Sequence, residues 1–147
     1  AKPPVAHIDL MPTLAKAAGA GLPADVEIDG VDILPLVSDP DGADWARDTL
    51  FWQSGYYRVV RHQDWKLQIS EKPKKAWLFN LAEDPTEQNN LAESEPEKLN
   101  ELRSLLAQHA AGAREPLHPS VVEMPVAVDK TRAERVVPGD EFIYWPN

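Results

Sequence analysis

The sequence contains no cysteine. That excludes disulfides, a cysteine nucleophile and a thiolate metal site, and leaves the redox compartment unreadable. Histidine is scarce as well. His7, His62, His109 and His118 stand far apart, none is spaced as a ligand pair, and no H-E-x-x-H occurs. Cations are outnumbered, with 15 Lys and Arg against 24 Asp and Glu and a formal net charge of −9. This argues against nucleic acid and against a membrane surface as partners, because both require clustered basic residues. No apolar run approaches the roughly 20 residues that span a bilayer. The start, Ala1-Lys2-Pro3-Pro4, lacks a signal-peptide pattern and reads like the middle of a longer chain. Phosphate-cradling loops are missing too: Gly19-Ala20-Gly21 lacks the G-x-G-x-x-G order, and no serine sits in G-x-S-x-G.

What is present is enough for a core. A chain of 147 residues, 43% of them hydrophobic, can bury about 70% of its unfolded surface. The 14 prolines favour turns and extended passages over long helices. Asp9 is a candidate N-cap for a short helix over Leu10–Ala18, with Pro12 in its first turn and Gly19 at its end. Residues 20–48 are broken by Gly21, Pro23, Gly30, Pro35, Pro40 and Gly42, with room for one helical turn at Ile33–Val37.

From Thr49 the pattern changes to aromatic and β-branched runs. Thr49–Gln53 and Tyr56–Arg61 form a hairpin about Ser54-Gly55. Trp65, Leu67 and Ile69 alternate with polar residues, and Trp77, Phe79 and Leu81 alternate again, with turns at His62-Gln63-Asp64 and Glu71–Lys74. Four strands in a row on short connections make an antiparallel meander. Ser94 and Glu97 read as a capping box opening a helix whose face carries Leu99, Leu102, Leu105, Leu106 and His109, ended by Gly112. That stripe is suited to covering one face of the meander. Val121–Val128 is extended, and Phe142-Ile143-Tyr144-Trp145 is too apolar for a free tail. The acidic run from Glu83 to Glu101 lacks the alternating carboxylates, glycine and closing Glu of a calcium loop, and suits a helix N-terminus instead.

Four stretches in order resemble the sulfatase branch of the alkaline-phosphatase-like superfamily. His7-Ile8-Asp9-Leu10-Met11-Pro12-Thr13-Leu14, followed by Ala17-Ala18-Gly19, resembles the D-L-x-P-T segment that opens a helix ending at glycine. Asp29-Gly30-Val31-Asp32-Ile33 with Pro35-Leu36 resembles D-G-x-x-L-x-P-L. Arg58-Val59-Val60-Arg61 with Asp64-Trp65-Lys66-Leu67 resembles "A-V-R … D-W-K-L". Leu78-Phe79-Asn80-Leu81 through Asp84-Pro85-Thr86-Glu87 to Asn90-Leu91-Ala92 resembles "L-Y-D-L-x-x-D-P-x-E-x-x-N-L-A".

The resemblance covers residues 5–110 and implies the C-terminal portion of an arylsulfatase-like hydrolase. It implies an α/β domain that carries a formylglycine nucleophile and a divalent cation, usually calcium, and a smaller subdomain of four antiparallel strands and a helix. The nucleophile motif C/S-x-P-S-R has only Ser94-Glu95-Pro96-Glu97-Lys98 as a distant counterpart, in the wrong place. No catalytic or metal-binding role therefore passes to any residue here, and calcium and formylglycine are expected in an N-terminal domain.

The expected fold class is α+β: a four-stranded antiparallel β-meander packed against a C-terminal α-helix, preceded by the end of a larger α/β domain. Residues 1–48 are expected to be the distal segment of that α/β domain, 49–115 the C-terminal subdomain, and 116–147 a Pro-rich tail packing back on the body. The expected partners are the N-terminal sulfatase α/β domain and, through it, a sulfate ester, with self-association of the isolated chain. Trp52, Gln53, Tyr56 and Tyr57, at the hairpin tip, are the candidate substrate-rim residues, because such tips are held by a sheet and aromatic faces stack on aryl or sugar rings. Two other readings stay open: a freestanding α+β interaction module, and the same region of a phosphonate or phosphodiester hydrolase of that superfamily.

Overall fold

Proline and glycine punctuate the first 50 residues densely, and among the residues described there the computed structural model has two short α-helices, α1 (Leu10–Ala17) and α2 (Leu34–Ser38). The structure describes residues 3–39, 45, 47–114, 117–118, 121–128, 130–131 and 133–146. The breakers Pro40 and Gly42, the expected boundary at 115/116 and Pro119 lie outside the described residues. The chain divides into two units, residues 1–50 and 51–147.

The first unit is organised by Asp9, whose side chain is fully buried. Its carboxylate does not cap α1. A 3-10 turn, His7–Asp9, precedes that helix, and the carboxylate reaches back to the Ala6 N–H at 2.7 Å. It also accepts the Val31 N–H at 3.0 Å and a two-pronged ion pair from Arg47, at 2.7 and 2.5 Å. Thr13 hands its hydroxyl proton to the Asp9 carbonyl and accepts the Ile33 N–H at 3.1 Å. The D-L-x-P-T and D-G-V-D-I stretches are thus two halves of one clasp. Glycine at position 30 follows from it, since a Cβ there would stand 2.1 Å from the Ile8 carbonyl oxygen. Gly19 ends α1 at φ 70°, a conformation that glycine adopts without penalty.

The meander comprises β1 (Thr49–Ser54), β2 (Tyr57–His62), β3 (Trp65–Glu71) and β4 (Lys74–Asn80), hydrogen-bonded in that order. Registers Val60↔Leu67 and Leu67↔Leu78 line three side chains across one face. All three are fully buried, together with Leu102 and Leu106 of α3 (Pro96–Ala111). Each such side chain contributes about 1.5–3 kcal/mol by leaving water. Leu99 and Leu105 flank this core as the helical period requires, while the His109 ring stacks on Phe51 at 4.1 Å.

The opposite face is covered as well. β5 (Glu123–Ala127) and β6 (Phe142–Pro146) form an antiparallel ribbon, and Ile143 is buried against Trp77 and Phe79. This explains why Trp77, Leu78 and Phe79 are consecutive buried residues, where a sheet with one wet face would alternate. Leu81, read with that strand, lies one residue beyond its end.

Ser94 is not the cap of α3. Its hydroxyl donates to the Leu91 carbonyl, and Glu95 occupies the N-cap position without a side-chain hydrogen bond. The cause is Pro96. It forces the preceding residue out of the helical region, to φ −121° at Glu95, and itself suits the first helical position.

The D-P-x-E-x-x-N-L stretch closes the free edge of β4. Asn90 accepts the Leu78 N–H at 2.9 Å and donates to the Ala76 carbonyl, and the Leu91 N–H reaches the Leu78 carbonyl. Asp84 holds the loop by accepting the Asn89 N–H at 2.7 Å, which with the neighbouring amide of Gln88 lowers its pKa. An open strand edge invites unwanted pairing, and this loop removes it.

The Arg47 hydrogen bonds hold the Asp9 carboxyl at about 2, below its usual 3.8, against the opposing effect of burial and with help from the Val31 and Ala6 amides. A depressed carboxyl stabilises the fold fully above the unfolded value and loses that contribution as pH falls through the folded one. Roughly 2 kcal/mol should therefore disappear between about pH 4 and pH 2. Urea melts of the wild type and of Asp9→Asn across this range should converge as the pH falls. A gap between them that is as wide at the acid end as at neutral pH contradicts the assignment.

Candidate functional site

The β1–β2 hairpin turns at Gly55, whose φ of 52° most side chains resist. Trp52 and Tyr56 are each 42% exposed, and Gln53 is exposed beside them. Tyr57, the fourth rim candidate, turns inward and donates its hydroxyl to the side-chain oxygen of Gln68. The hairpin thus presents three of the four candidates to solvent and ties down the fourth.

Tyr57 heads a chain of polar groups on the ribbon side of the sheet. Gln68 donates to Glu87 at 2.7 Å, and Glu87 receives both hydrogen bonds of Lys66, each 2.7 Å. Glu87 stands at φ 59°, a left-handed conformation that costs about 1–2 kcal/mol and that these charged hydrogen bonds offset. Burial, with the Glu87 charge second, pushes the Tyr57 hydroxyl up to about 12. The group borders a cleft of about 560 Å³ that Trp77, Phe79, Val128 and Glu141 also line. The cleft's polar groups are largely satisfied by one another: Glu141 receives Lys75 and the Trp77 indole N–H, and Lys130 pairs with Asp140.

The ribbon brings two further aromatics to the hairpin, Tyr144 and Trp145. The Trp145 ring lies 5.4 Å from that of Tyr57. The Tyr144 N–H bonds the Lys72 carbonyl, and the Lys72 ammonium sits 5.0 Å above the Tyr144 ring. Lys72 pairs with Glu123, which also accepts a hydrogen bond from Tyr56. Tyr144 and Trp145 were readable only as apolar tail residues, because their pairing with Pro125 and Met124 spans about 20 intervening positions. Arg47 carried no signal of its own, and Glu87 carried one only as the E of the D-P-x-E stretch. Lys66 and Gln68 carried one: they share a face with Trp77, so each needs a partner.

The groups that the sulfatase resemblance implies do not fit the described residues. Asp9 and Asp32 are engaged by Arg47 and Lys16, and Glu87, Glu123 and Glu141 by Lys66, Lys72 and Lys75. Among the described residues no three His, Asp or Glu side chains gather as cation ligands. The Ser94 hydroxyl donates to the Leu91 carbonyl in the loop before α3.

The sequence is 34% identical to human steryl-sulfatase over 86 residues, 58% of this chain and 14% of that protein. It is 33% identical to bovine arylsulfatase A, with 67% of this chain and 25% of that protein covered. This chain is a sulfatase homologue. It corresponds to their C-terminal region and spans a quarter or less of the length of these relatives. The solved structure of a 2-O GAG sulfatase superimposes with a TM-score of 0.56 at 26% identity, covering 70% of this chain and 24% of that one. No family model matches the sequence. The sulfatase resemblance and the α+β layout of meander and helix are both borne out.

Glu87→Gln should lower stability by about 1–2 kcal/mol, since it leaves the half-buried Lys66 ammonium without its counter-charge. It should also bring the ionisation of Tyr57 down, because one of the two causes of its elevation is gone. Chemical melts and an ultraviolet titration of the phenolate read the two effects. A variant as stable as the parent, with Tyr57 ionising as before, contradicts this account of the network.

Proposed function

We propose that this chain completes the fold of a sulfatase and rims its substrate pocket without contributing catalytic residues. The observation that carries the proposal is the hairpin tip, where Trp52, Gln53 and Tyr56 are exposed on a two-stranded support whose next residue, Tyr57, is anchored. Exposed aromatic rings on a rigid tip suit contact with an aryl or sugar ring. The reading that this chain contributes no catalytic residue is supported by how side chains of the four recognisable stretches are engaged: Asp9, Thr13 and Asn90 hold backbone amides, and Lys66 and Glu87 hold one another. Formylglycine and calcium then belong to an N-terminal α/β domain of the same enzyme. That domain would dock on apolar side chains such as Leu10, Met11 and Leu14 of α1, which are 55%, 48% and 65% exposed. Patches of this kind mark interfaces when they extend over a few hundred Å². The reaction in such an enzyme is sulfate ester hydrolysis, and this chain's part in it is to position the ester's organic group.

Trp52→Ala and Tyr56→Ala in the complete enzyme should raise KM for a bulky sulfate ester by about 3- to 10-fold, the worth of one aromatic contact. The melting temperature and kcat for a small ester should stay as they are, because both side chains are on the surface. Unchanged KM for the bulky ester in both variants removes the rim role.

A further inference from the structure

On a chain of net charge −9, one groove has the opposite balance. It lies where the start of β4 approaches α3 and holds about 430 Å³. Lys74, Lys75 and Arg103 line it against one carboxylate, Glu71, and Ile69 and Ala76 form its apolar floor. Most other cations around the sheet are neutralised: Arg58 by Glu71, Lys66 by Glu87, Lys72 by Glu123, Lys75 by Glu141, Lys98 by Glu101 and Lys130 by Asp140. Lys74 and Arg103 are the exception in this groove. Both are exposed, and neither has an ion pair or side-chain hydrogen bond among the described residues.

We propose that this groove is an anion subsite that takes a sulfate group carried on a sugar, apart from the hairpin tip. Arg103 offers a planar fork of N–H donors that matches an oxyanion, and Lys74 a point charge. The floor of Ile69 and Ala76 meets the apolar face of the sugar ring. A pair of unneutralised cations over an apolar floor selects an amphipathic anion over a bare one. That the anion is a sulfate rests on the sulfatase reading. The excess of cations does not. A sulfated polysaccharide held here would be retained between encounters with the catalytic centre.

The test is calorimetric titration of the 147-residue chain at low salt with a heparin-derived tetrasaccharide, and with the same tetrasaccharide after chemical desulfation. Because no turnover is measured, the result is independent of the rim variants. The sulfated probe should bind and the desulfated one should not. Lys74→Gln and Arg103→Gln should each weaken binding by about 3- to 10-fold, the range for a partly solvated charged contact. Lys130→Gln, whose side chain is paired with Asp140, should leave binding as it was. Equal binding of the two probes, or binding that survives both substitutions, overturns the proposal. Inorganic sulfate that binds as tightly as the sulfated sugar overturns the part played by the ring. Circular dichroism confirms that the surface variants fold.

Discussion

A backbone N–H that a helix or a sheet ladder leaves unpaired must find an acceptor, and in this chain side chains from distant segments supply it. The Asp9 carboxylate takes the Val31 amide, the Thr13 hydroxyl takes that of Ile33, and the Asn90 side chain takes that of Leu78. Each contact joins segments 12 to 22 residues apart. Without them, the loops around α1 and the free edge of β4 would expose amides that cost about 1–3 kcal/mol each when buried unpaired. The apolar core is small, ten buried hydrophobic side chains among the described residues, so the loops cannot rely on it alone.

The same contacts bear on function. The Asp9 carboxylate is committed to Arg47 and two amides. Side chains of the four recognisable stretches thus serve the scaffold, and other side chains are left exposed to solvent. Trp52 and Tyr56 at the hairpin tip are exposed in this way, as are Lys74 and Arg103. Under the proposed function this division gives a stiff frame with exposed side chains at its tip to meet a substrate, beside a pocket whose chemistry lies elsewhere.

How much of this was legible in the sequence differs from element to element. Period-two alternation marked β3 and β4 and the leucine spacing marked the covering face of α3, because burial on one side imposes those periods; aromatic and β-branched runs about Ser54-Gly55 marked the β1–β2 hairpin. Ser94 misled because an S-x-x-E pattern normally announces a cap, yet Pro96 moved the helix start. Trp77, Leu78 and Phe79 belong to a sheet buried on both faces, a fact that requires knowing that β5 and β6 pair across about 15 residues. Non-local pairing leaves no period to read. The hairpin tip was legible as a place, but Tyr144 and Trp145 beside it were not, for the same reason.

Amide hydrogen exchange at Val31 and Ile33 tests the scaffold account most directly. Both residues lie outside helices and strands, so protection there can come only from Asp9 and Thr13. The account predicts exchange slowed at least about a hundredfold relative to an unstructured amide, with protection at Ile33 lost in Thr13→Val while the amides of β3 remain slow. Exchange of Val31 and Ile33 at the rate of a free loop would show that the conspicuous residues do not hold the frame, and would reopen a chemical role for Asp9.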